Sequence, residues 1–502
     1  AGRDGSPVQK GSQTMNRATS KVSACLFAIA LFGILPSTLA QEATRLGTLV
    51  RLPTSATNVT VVHALPEGQR VADITGRPEF QTQTLSARDG KVEITVSPEP
   101  MWIVEGELPA QPQVSADASP FGFHPALAPG LGFDFAKDIG VQWHRPGLYL
   151  MWVLGQPDVA SDNYVWELFD RDVRAVPPGM RQMRNLCVCH DNMVQIPGRP
   201  LLEAVKRPEI DVSQHVEGTT YRPKDVAKYQ RWVRAVVERY DGDGVNDMPG
   251  LTAPIKFWQV DNEPPRRREG YPDLVRITSQ AVKEADAKAK VLIGGLEIPF
   301  DDHRQRIYER EQLPILQELQ RKGIDILDLH WFGHLDESRK LPKALERIRS
   351  DLKRCGFENT TIWFTEMGTY SGTPRHHQGH PLPFHSERQQ AAEMVKRHVV
   401  ASGEGVEKVF WAWGMIEGFV NVHDNDYFDN TGFVYDGIGP DDPGRGTKKV
   451  AYWTYQKMTG LLQHWDGKPP EKLLLGESVV GYRFRTAPAD RAIVVVWQDQ
   501  EH

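Results

Sequence analysis

The segment IKFWQVDNEP, residues 255–264, decides the fold. Its apolar, β-branched and aromatic residues are typical of a strand that is covered on both faces. Pro264 prevents the strand from continuing, so Asn262 and Glu263 lie at its carboxyl end. In a parallel α/β sheet or barrel, that end is where ligands bind. The segment therefore predicts a polar site at the end of a buried parallel strand.

A second segment, TIWFTEMG at residues 361–368, has the same form, because it is a short apolar strand that carries Glu366 near its end. Glutamates on two strand ends are what retaining glycoside hydrolysis requires: one is acid and base at the leaving oxygen, and the other attacks the anomeric carbon. The two carboxyl groups of such an enzyme lie about 5–5.5 Å apart. Glu263 and Glu366 are therefore predicted to form a catalytic pair.

Strand-like and helix-like segments alternate between residues 116 and 465. The clearest helix spans residues 223–240, where apolar residues recur at spacings of three and four and Pro223 suits the first turn. The predicted strands are 121–124, 141–145, 182–189, 255–260, 291–295, 324–330, 361–366 and 408–413. Helices are also predicted at 130–139 and 450–462, and Ser386 and Gln389 predict a capping box at the start of another helix. Eight strand–helix units over roughly 340 residues predict an α/β fold, a (β/α)₈ TIM barrel with long loops.

The two ends of the chain differ from this pattern. Residues 41–115 and 466–502 are rich in β-forming runs separated by turn signals. Neither segment is large enough to build a good core alone. We expect the two segments to form one accessory β-sandwich beside the barrel, and two small unrelated β pieces are the alternative.

The N-terminal residues indicate export. Residues 1–14 precede Met15 and are interpreted as an upstream or non-native extension. Residues 15–40 combine a positively charged start, an apolar run at 24–35 and small residues before Ala40, which is typical of a cleaved signal peptide. The apolar run is too short to span a bilayer, although a buried core helix is an alternative. The protein is therefore predicted to be secreted, to the exterior or the periplasm, with no membrane segment in its mature form.

Composition narrows the possible partners. The formal net charge of -6 gives no reason to expect nucleic-acid binding. Glycoside hydrolysis by two carboxyl groups needs no cofactor, and the sequence does not indicate an oligomeric state.

Cys187, Cys189 and Cys355 follow the signal segment and imply no disulfide framework. Cys187, Cys189 and His190 could hold a metal, but burial of the cysteines as small apolar residues is favoured.

The two motifs, WQVDNEP at 258–264 and WFTE at 363–366, resemble the two signatures of clan A glycoside hydrolases. Segments at 164–166, 239–243 and 451–455 also resemble families 39 and 5, so the resemblance extends over the whole predicted barrel. It implies a retaining double displacement on β-glycosidic bonds of polysaccharides or oligosaccharides. Glu263 would be the acid/base and Glu366 the nucleophile. An exo-acting β-xylosidase-like enzyme and an endo-acting glucanase or mannanase both remain open.

The same resemblance suggests roles for further strand-end residues. Asn262 would contact the sugar 2-hydroxyl, and Arg145 would orient the nucleophile and keep it ionised. His330 stands where the clan often has a residue close to the nucleophile, and Trp413 would be a platform under the sugar. Two more residues are candidates for substrate contact: His124 and Trp331. The alternatives are a structural ion pair for Arg145, core packing for the tryptophans and structural roles for the histidines.

Two loops carry clusters of charge. The stretch from Asp241 to Asp247 is acidic and rich in glycine, but it lacks the EF-hand pattern, and a solvated turn is favoured over a calcium loop. Arg266, Arg267 and Arg268 follow Glu263 and could bind an acidic sugar, although an exposed charge run is favoured.

Two other functional classes remain as alternatives. One is a carbohydrate-binding barrel without catalysis, against which the presence of both glutamates argues. The other is a metal-dependent barrel hydrolase that would use His124, His190 and His330. The first predicted strand lacks the His-x-His pair expected of such a site, so no metal is predicted.

Overall fold

The computed structural model describes residues 47–66, 80–108, 115–189, 214–217, 222–264, 270–375, 382–418, 425–439, 442–486 and 491–499. The predicted extension at 1–14 and the predicted signal peptide at 15–40 lie outside these ranges. Within them, no helix is both long enough and apolar enough to cross a membrane.

The secondary structure alternates through the middle of the chain. The strands are β1 Thr48–Pro53, β2 Asn58–His63, β3 Thr82–Ser86, β4 Lys91–Val96, β5 Met101–Glu105, β6 Phe121–His124, β7 Trp143–His144, β8 Leu150–Met151, β9 Arg181–Gln182, β10 Arg184–Cys187, β11 Val216–Glu217, β12 Arg222–Pro223, β13 Phe257–Val260, β14 Lys290–Ile293, β15 Leu296–Glu297, β16 Ile326–Phe332, β17 Thr361–Gly368, β18 Lys408–Ala412, β19 Glu471–Leu474, β20 Val479–Arg485 and β21 Ala492–Gln498. The α-helices are Asp134–Asp138, Trp152–Gly155, Glu167–Ala175, Val226–Tyr240, Tyr271–Ala285, Asp302–Ile307, Leu313–Leu319, Leu341–Arg354, Glu387–Gly403 and Val450–Leu462.

The central sheet curls into a TIM-like barrel of parallel strands. β6 pairs with β7, β7 pairs with β9, and Met183 alone separates β9 from β10. Pairing continues from β10 through β13, β14, β16, β17 and β18, and β18 pairs with β6. The short strands β8 and β15 add to β10 and β16. The predicted alternation of strands and helices is therefore present, and the curled parallel sheet is compatible with a TIM-like barrel.

The interior of the barrel has an aromatic lower layer. Trp143, Phe257 and Trp363 pack with ring centroids 4.9–5.3 Å apart, and the Lys408 ammonium lies 5.2 Å from the Trp143 ring centre. Alternate residues of a strand share a face. The next inward residues toward the carboxyl ends are polar, and they are Arg145, Asn185, Gln259, Asp328 and Thr365.

Two of the long helices, Val226–Tyr240 and Glu387–Gly403, begin at side-chain caps. The Asp225 carboxylate accepts the backbone N–H of Lys228 at 3.0 Å, so this helix starts at Val226. Pro223, expected in its first turn, instead ends β12. Ser386 and Gln389 form the predicted capping box, in which each side chain accepts the other's backbone N–H.

Strands from both ends of the chain form one sheet. It has six strands in the order β19-β20-β21-β5-β2-β3, and the junction between the two chain ends is the antiparallel pair β21–β5. The antiparallel pair β1–β4 forms a separate sheet. Both sheets contribute to one apolar cluster of Val50, Leu52, Val59, Val61, Val92, Ile94, Val96, Met101, Ile103, Val479, Val494 and Val496. The two terminal segments therefore share a sheet and a core.

Candidate active site

The chain turns sharply where β13 ends. Asp261 and Glu263 both have left-handed backbone conformations, with φ of 62° and 42°. The carbonyl of Asp261 accepts a hydrogen bond from the Asn185 side chain at 2.9 Å, which fixes this turn to the neighbouring strand β10. Such backbone conformations cost about 1–3 kcal/mol each in residues other than glycine and cluster at functional sites. Here they place Asn262 and Glu263 over the barrel mouth.

A β-bulge aims Glu366 into the barrel. Asp328 pairs with Trp363, but His330 pairs with Glu366, so β17 has one residue more than β16 between these pairs. A bulge redirects the side chains that follow it. Thr365 and Glu366, although adjacent, therefore both reach interior partners, which are Asp328 and Arg145.

The two glutamates meet at one point of the mouth. Ligand atoms of Glu263, His330 and Glu366 all lie within 4.8 Å of one another. One carboxylate oxygen of each glutamate thus lies within 4.8 Å of the other, which is compatible with the roughly 5–5.5 Å between retaining carboxyl groups and below the roughly 6.5–9.5 Å of inverting ones. The side chain of Glu366 is 2% exposed, whereas that of Glu263 is 55% exposed. The pair thus combines a buried carboxyl group with one that solvent and ligand can reach.

Arg145, at the end of β7, ties the site together. Its guanidinium is fully buried and donates to Glu366 Oε1 at 2.5 Å, to Asn262 Oδ1 at 2.6 Å and to Gln259 Oε1 at 3.1 Å. Burial raises the pKa of the Glu366 carboxyl, and the positive charges of His330 and Arg145 oppose this rise. Because the Asn262 oxygen is engaged, its NH₂ group is the part of the amide that can donate to a ligand.

His330 lies between the glutamates. Its Nδ1 is 2.8 Å from Glu263 Oε1 and 3.6 Å from Glu366 Oε2. Burial lowers the pKa of His330, but the nearby carboxylates, first of Glu366 and then of Asp328, together raise it to about 10. Gly295 leaves room for the ring, because a Cβ there would lie 2.0 Å from His330 Nε2. The surrounding carboxylates therefore favour the positively charged form of His330.

His124 presents the opposite character. Its Nδ1 donates to the Arg145 carbonyl at 2.9 Å, and burial together with the Arg145 charge holds its pKa well below the usual range. Its Nε2 is buried, lies 3.5 Å from Glu366 Oε1 and has no hydrogen-bond partner among the described residues. The Trp413 ring is 4.2 Å away and only partly buried. This side of the mouth offers a neutral acceptor beside an aromatic face.

Comparisons with known proteins agree with this fold. No protein-family model matches the sequence, and no curated protein matches it. Among solved structures, a family 39 glycoside hydrolase from the gut symbiont Bacteroides cellulosilyticus WH2 is similar at 13% identity and a TM-score of 0.50, over 87% of this chain and 84% of that chain. The predicted likeness to a clan A barrel is confirmed for the fold.

A second solved structure is more distant in shape. A glucosidase from Croceicoccus marinus matches at 16% identity and a TM-score of 0.48, over 75% of this chain and 74% of that chain. The family 39 structure, at 13% identity, shows a shared fold alone, so the chemistry has to be argued from the residues of this chain.

Trp331 lies outside the cluster. Adjacent residues of a strand face opposite sides, and because His330 faces inward, Trp331 faces the surrounding helices. It is 1% exposed, its indole donates to Glu337 at 3.2 Å, and the Arg397 guanidinium stacks 4.5 Å from its ring centre. The structure therefore gives Trp331 a packing role and does not place it where substrate could touch it.

Asn185, Gln259, Asp328 and Thr365 complete the site but were not among the predicted residues. They connect Arg145 to His330 beneath the glutamates: Asn185 donates to Gln259 at 2.8 Å, and Thr365 donates to Asp328 at 2.6 Å. The signal that could have found them is the period of two, because each lies two positions after an inward apolar residue.

Three groups of acidic residues and histidine lie close enough to suggest metal ions within the described ranges: Glu263 with His330 and Glu366; Asp241 with Asp243 and Asp247; and Glu417 with Asp436 and Asp442. In the first group, both His330 nitrogens face acceptors, so neither has a lone pair to give. In the third group, the Lys449 ammonium lies 2.5 Å from Glu417 and already supplies a positive charge.

The acidic loop from Asp241 to Asp247 satisfies its own carboxylates. Asp247 accepts the backbone N–H groups of Gly242 and Gly244 at 3.0 and 2.8 Å, and Asp243 accepts that of Val245 at 2.8 Å. These are the bonds of a solvated turn, and we assign no metal to this loop.

Other predicted features carry no further information about the site. Arg266, Arg267, Arg268 and His190 lie outside the described residues. Cys187 and Cys189 are both fully buried, which fits their role as small core residues.

Proposed function

We propose that the protein is a retaining glycoside hydrolase that cleaves β-glycosidic bonds of polysaccharides or oligosaccharides. The observation that carries this proposal is the pair Glu263 and Glu366, which stand at the ends of the barrel strands β13 and β17 with carboxylate oxygens within 4.8 Å. Carboxyl groups this close leave no room for the water that an inverting enzyme places between them.

The difference in environment supports separate roles for the two glutamates. Burial raises the pKa of Glu366, and the Arg145 guanidinium at 2.5 Å opposes this rise and so favours the ionised form that a nucleophile needs. Glu263 is exposed at the mouth, where it can protonate the leaving oxygen and then deprotonate the incoming water. The reaction would pass through a glycosyl ester on Glu366 and end with retained configuration.

The remaining residues form the subsite for the sugar. The Asn262 amide can donate to the 2-hydroxyl, the neutral His124 nitrogen can accept from another hydroxyl, and the Trp413 ring can lie against the sugar face. These groups fit either an exo-acting β-xylosidase-like enzyme or an endo-acting glucanase or mannanase. The two carboxyl groups supply the chemistry without a cofactor.

We further propose that the chain is exported after cleavage at Ala40, and that residues 116–465 form a (β/α)₈ catalytic barrel. Residues 41–115 and 466–502 would form its accessory β-sandwich. The shared sheet and the apolar cluster between the terminal strands support this arrangement.

The test is a panel of aryl β-glycosides offered to the wild type, to Glu366→Ala and to Glu284→Ala. Glu284 is a matched control, because it is a carboxylate on an outer helix that pairs with Arg234 at 2.7 Å. We expect Glu366→Ala to lose at least about 10⁴-fold in kcat, with partial rescue by azide as an external nucleophile. Glu284→Ala should behave like the wild type.

Four results would contradict the proposal. Undiminished activity of Glu366→Ala would exclude Glu366 as the nucleophile. Inversion of the first-formed anomer, seen by proton NMR, would exclude double displacement. A wild type that binds oligosaccharides but cleaves none would indicate a carbohydrate-binding barrel. Loss of activity on chelation, with recovery on adding a divalent metal, would favour the metal-dependent alternative.

A further inference from the structure

Asp328 is a carboxylate buried beneath the two glutamates. It is fully buried on β16 and accepts the backbone N–H of Thr365 at 2.9 Å and its hydroxyl at 2.6 Å. It also accepts the amide of Gln259, and its Oδ2 lies 3.3 Å from His330 Nε2. A buried carboxylate that accepts from this many donors is held in one orientation.

The hydrogen bonds around His330 fix its protons. The Thr365 hydroxyl donates its hydrogen bond to Asp328. Its oxygen must therefore accept from His330 Nε2, which lies 3.2 Å away. On the other side of the ring, Nδ1 faces the carboxylates of Glu263 and Glu366. Both ring nitrogens face acceptors, and both therefore carry hydrogen. Without Asp328, the Thr365 hydroxyl could donate to Nε2 and leave the ring neutral.

We propose that Asp328 is a positioning residue that, through Thr365 and His330, holds a positive charge between the two glutamates. The charged groups facing His330 are the carboxylates of Glu263, Glu366 and Asp328, and the opposing cation nearby is Arg145 on β7. The neutral His124 on β6 is the other titratable group on this side. The consequence for rate rests on the proposed function, but the charge on His330 does not.

The position of this charge suits a reaction in which a negative charge changes place. Before attack, Glu366 is the anion and Glu263 is the acid. After the glycosyl ester forms, Glu366 is neutral and Glu263 is the anion. The Nδ1 of His330 lies 2.8 Å from one carboxylate and 3.6 Å from the other. A fixed imidazolium can therefore stabilise whichever glutamate carries the charge, without moving away from Asp328.

The direct test is the protonation state of His330, which requires no substrate. Protein labelled with ¹⁵N-histidine would be titrated by NMR, and the His330 signals would be identified by their absence in His330→Gln. We expect the wild-type ring to stay charged up to about pH 9, since nearby opposite charges hold the charged form. In Asp328→Asn the ring should already be neutral from about pH 5 upward, because burial, which lowers the pKa of His330, would then outweigh the remaining carboxylates.

Kinetics supply the second readout. In Asp328→Asn, both limbs of the pH profile of kcat/KM should move to higher pH by about 1–3 units, because both glutamates lose a neighbouring positive charge. His330→Gln should show the same displacement, and the double variant should show no more. Asp351→Asn is the matched control, since Asp351 is equally buried but pairs with Arg347 at 3.1 Å on an outer helix. Both limbs of the pH profile of kcat/KM should stay in place in Asp351→Asn.

The outcomes separate this inference from the proposed function. A neutral His330 in the folded wild type at about pH 7.5 overturns it, even if Asp328→Asn does not fold. An unchanged His330 titration in Asp328→Asn also overturns it, as does a loss of rate with no displacement of the limbs. If no glycoside is cleaved, the proposed function fails while the NMR titration still decides the charge.

Discussion

Replacing Arg145 by methionine should be strongly destabilising, because the change leaves a buried carboxylate without its partner. The guanidinium of Arg145 is fully buried and lies 2.5 Å from Glu366, whose side chain is 2% exposed. Removing one member of a buried ion pair costs about 3–5 kcal/mol. The Gln259 oxygen also loses a donor, but it keeps its bond from Asn185 at 2.8 Å. We therefore expect a loss of about 3–5 kcal/mol in the free energy of unfolding at neutral pH.

The loss should depend on pH in a defined direction. Burial raises the pKa of Glu366, and without Arg145 one of the two opposing charges is gone, so the folded variant holds a proton that the unfolded chain releases. Stability then falls as the pH rises above the ordinary glutamate pKa of about 4.3. The penalty relative to the wild type should be clearly smaller at about pH 5 than at about pH 8.

Urea unfolding followed by tryptophan fluorescence at the two pH values measures this penalty from the midpoint at unchanged slope. Arg184→Met is a matched control, because Arg184 is equally buried but pairs with Asp172, whose side chain is 22% exposed. The control should lose stability with little dependence on pH. A loss below about 1 kcal/mol in Arg145→Met, or an equal loss at both pH values, would show that Glu366 is not held as an anion by Arg145.

Three further changes test other parts of the structure. Glu263→Gln should lower kcat/KM by about 10²–10⁴-fold on alkyl glycosides and much less on aryl glycosides with acidic phenols; equal losses on both would refute its role as acid. Gly295→Ala puts a Cβ 2.0 Å from His330 Nε2 and should lower kcat about 10²-fold in initial-rate assays; wild-type rates would show that His330 need not keep its place. Ser386→Ala removes a helix cap and should cost about 1 kcal/mol in urea unfolding with kcat unchanged.

The barrel could be predicted because its strands are buried on both faces and are separated by amphipathic helices. The predicted strand at residues 121–124 and the predicted helix at 450–462 have the same bounds in the structure. The helix expected at 130–139 is only Asp134–Asp138, because Gly130 and Gly132 take left-handed conformations in a preceding turn. Polar or very short strands such as β3, TQTLS, carry too little apolar signal to predict.

The site was predictable where function lies at strand ends and not where it lies deeper. Glu263 and Glu366 stand in short motifs at strand ends, so the sequence alone brought them together. Asp328 lies on β16 two residues before His330, inside a run that is buried on both faces. When both faces of a strand are buried, hydrophobicity does not tell which residues face inward. The same ambiguity explains why Trp331 was chosen beside His330, although only His330 faces the barrel interior.

The position of Glu366 breaks the alternation that organises its neighbours. Trp363 and Thr365 both face the interior, so a regular strand would turn Glu366 outward, toward the helices. The bulge on β17 adds one residue against β16 and reverses that assignment, which brings Glu366 to Arg145. Local sequence rules, such as the alternation of side chains along a strand, are expected to fail at functional sites. A strand without the bulge would keep its regular pairing and turn Glu366 away from the barrel interior, so the proposed chemistry depends on this irregularity in β17.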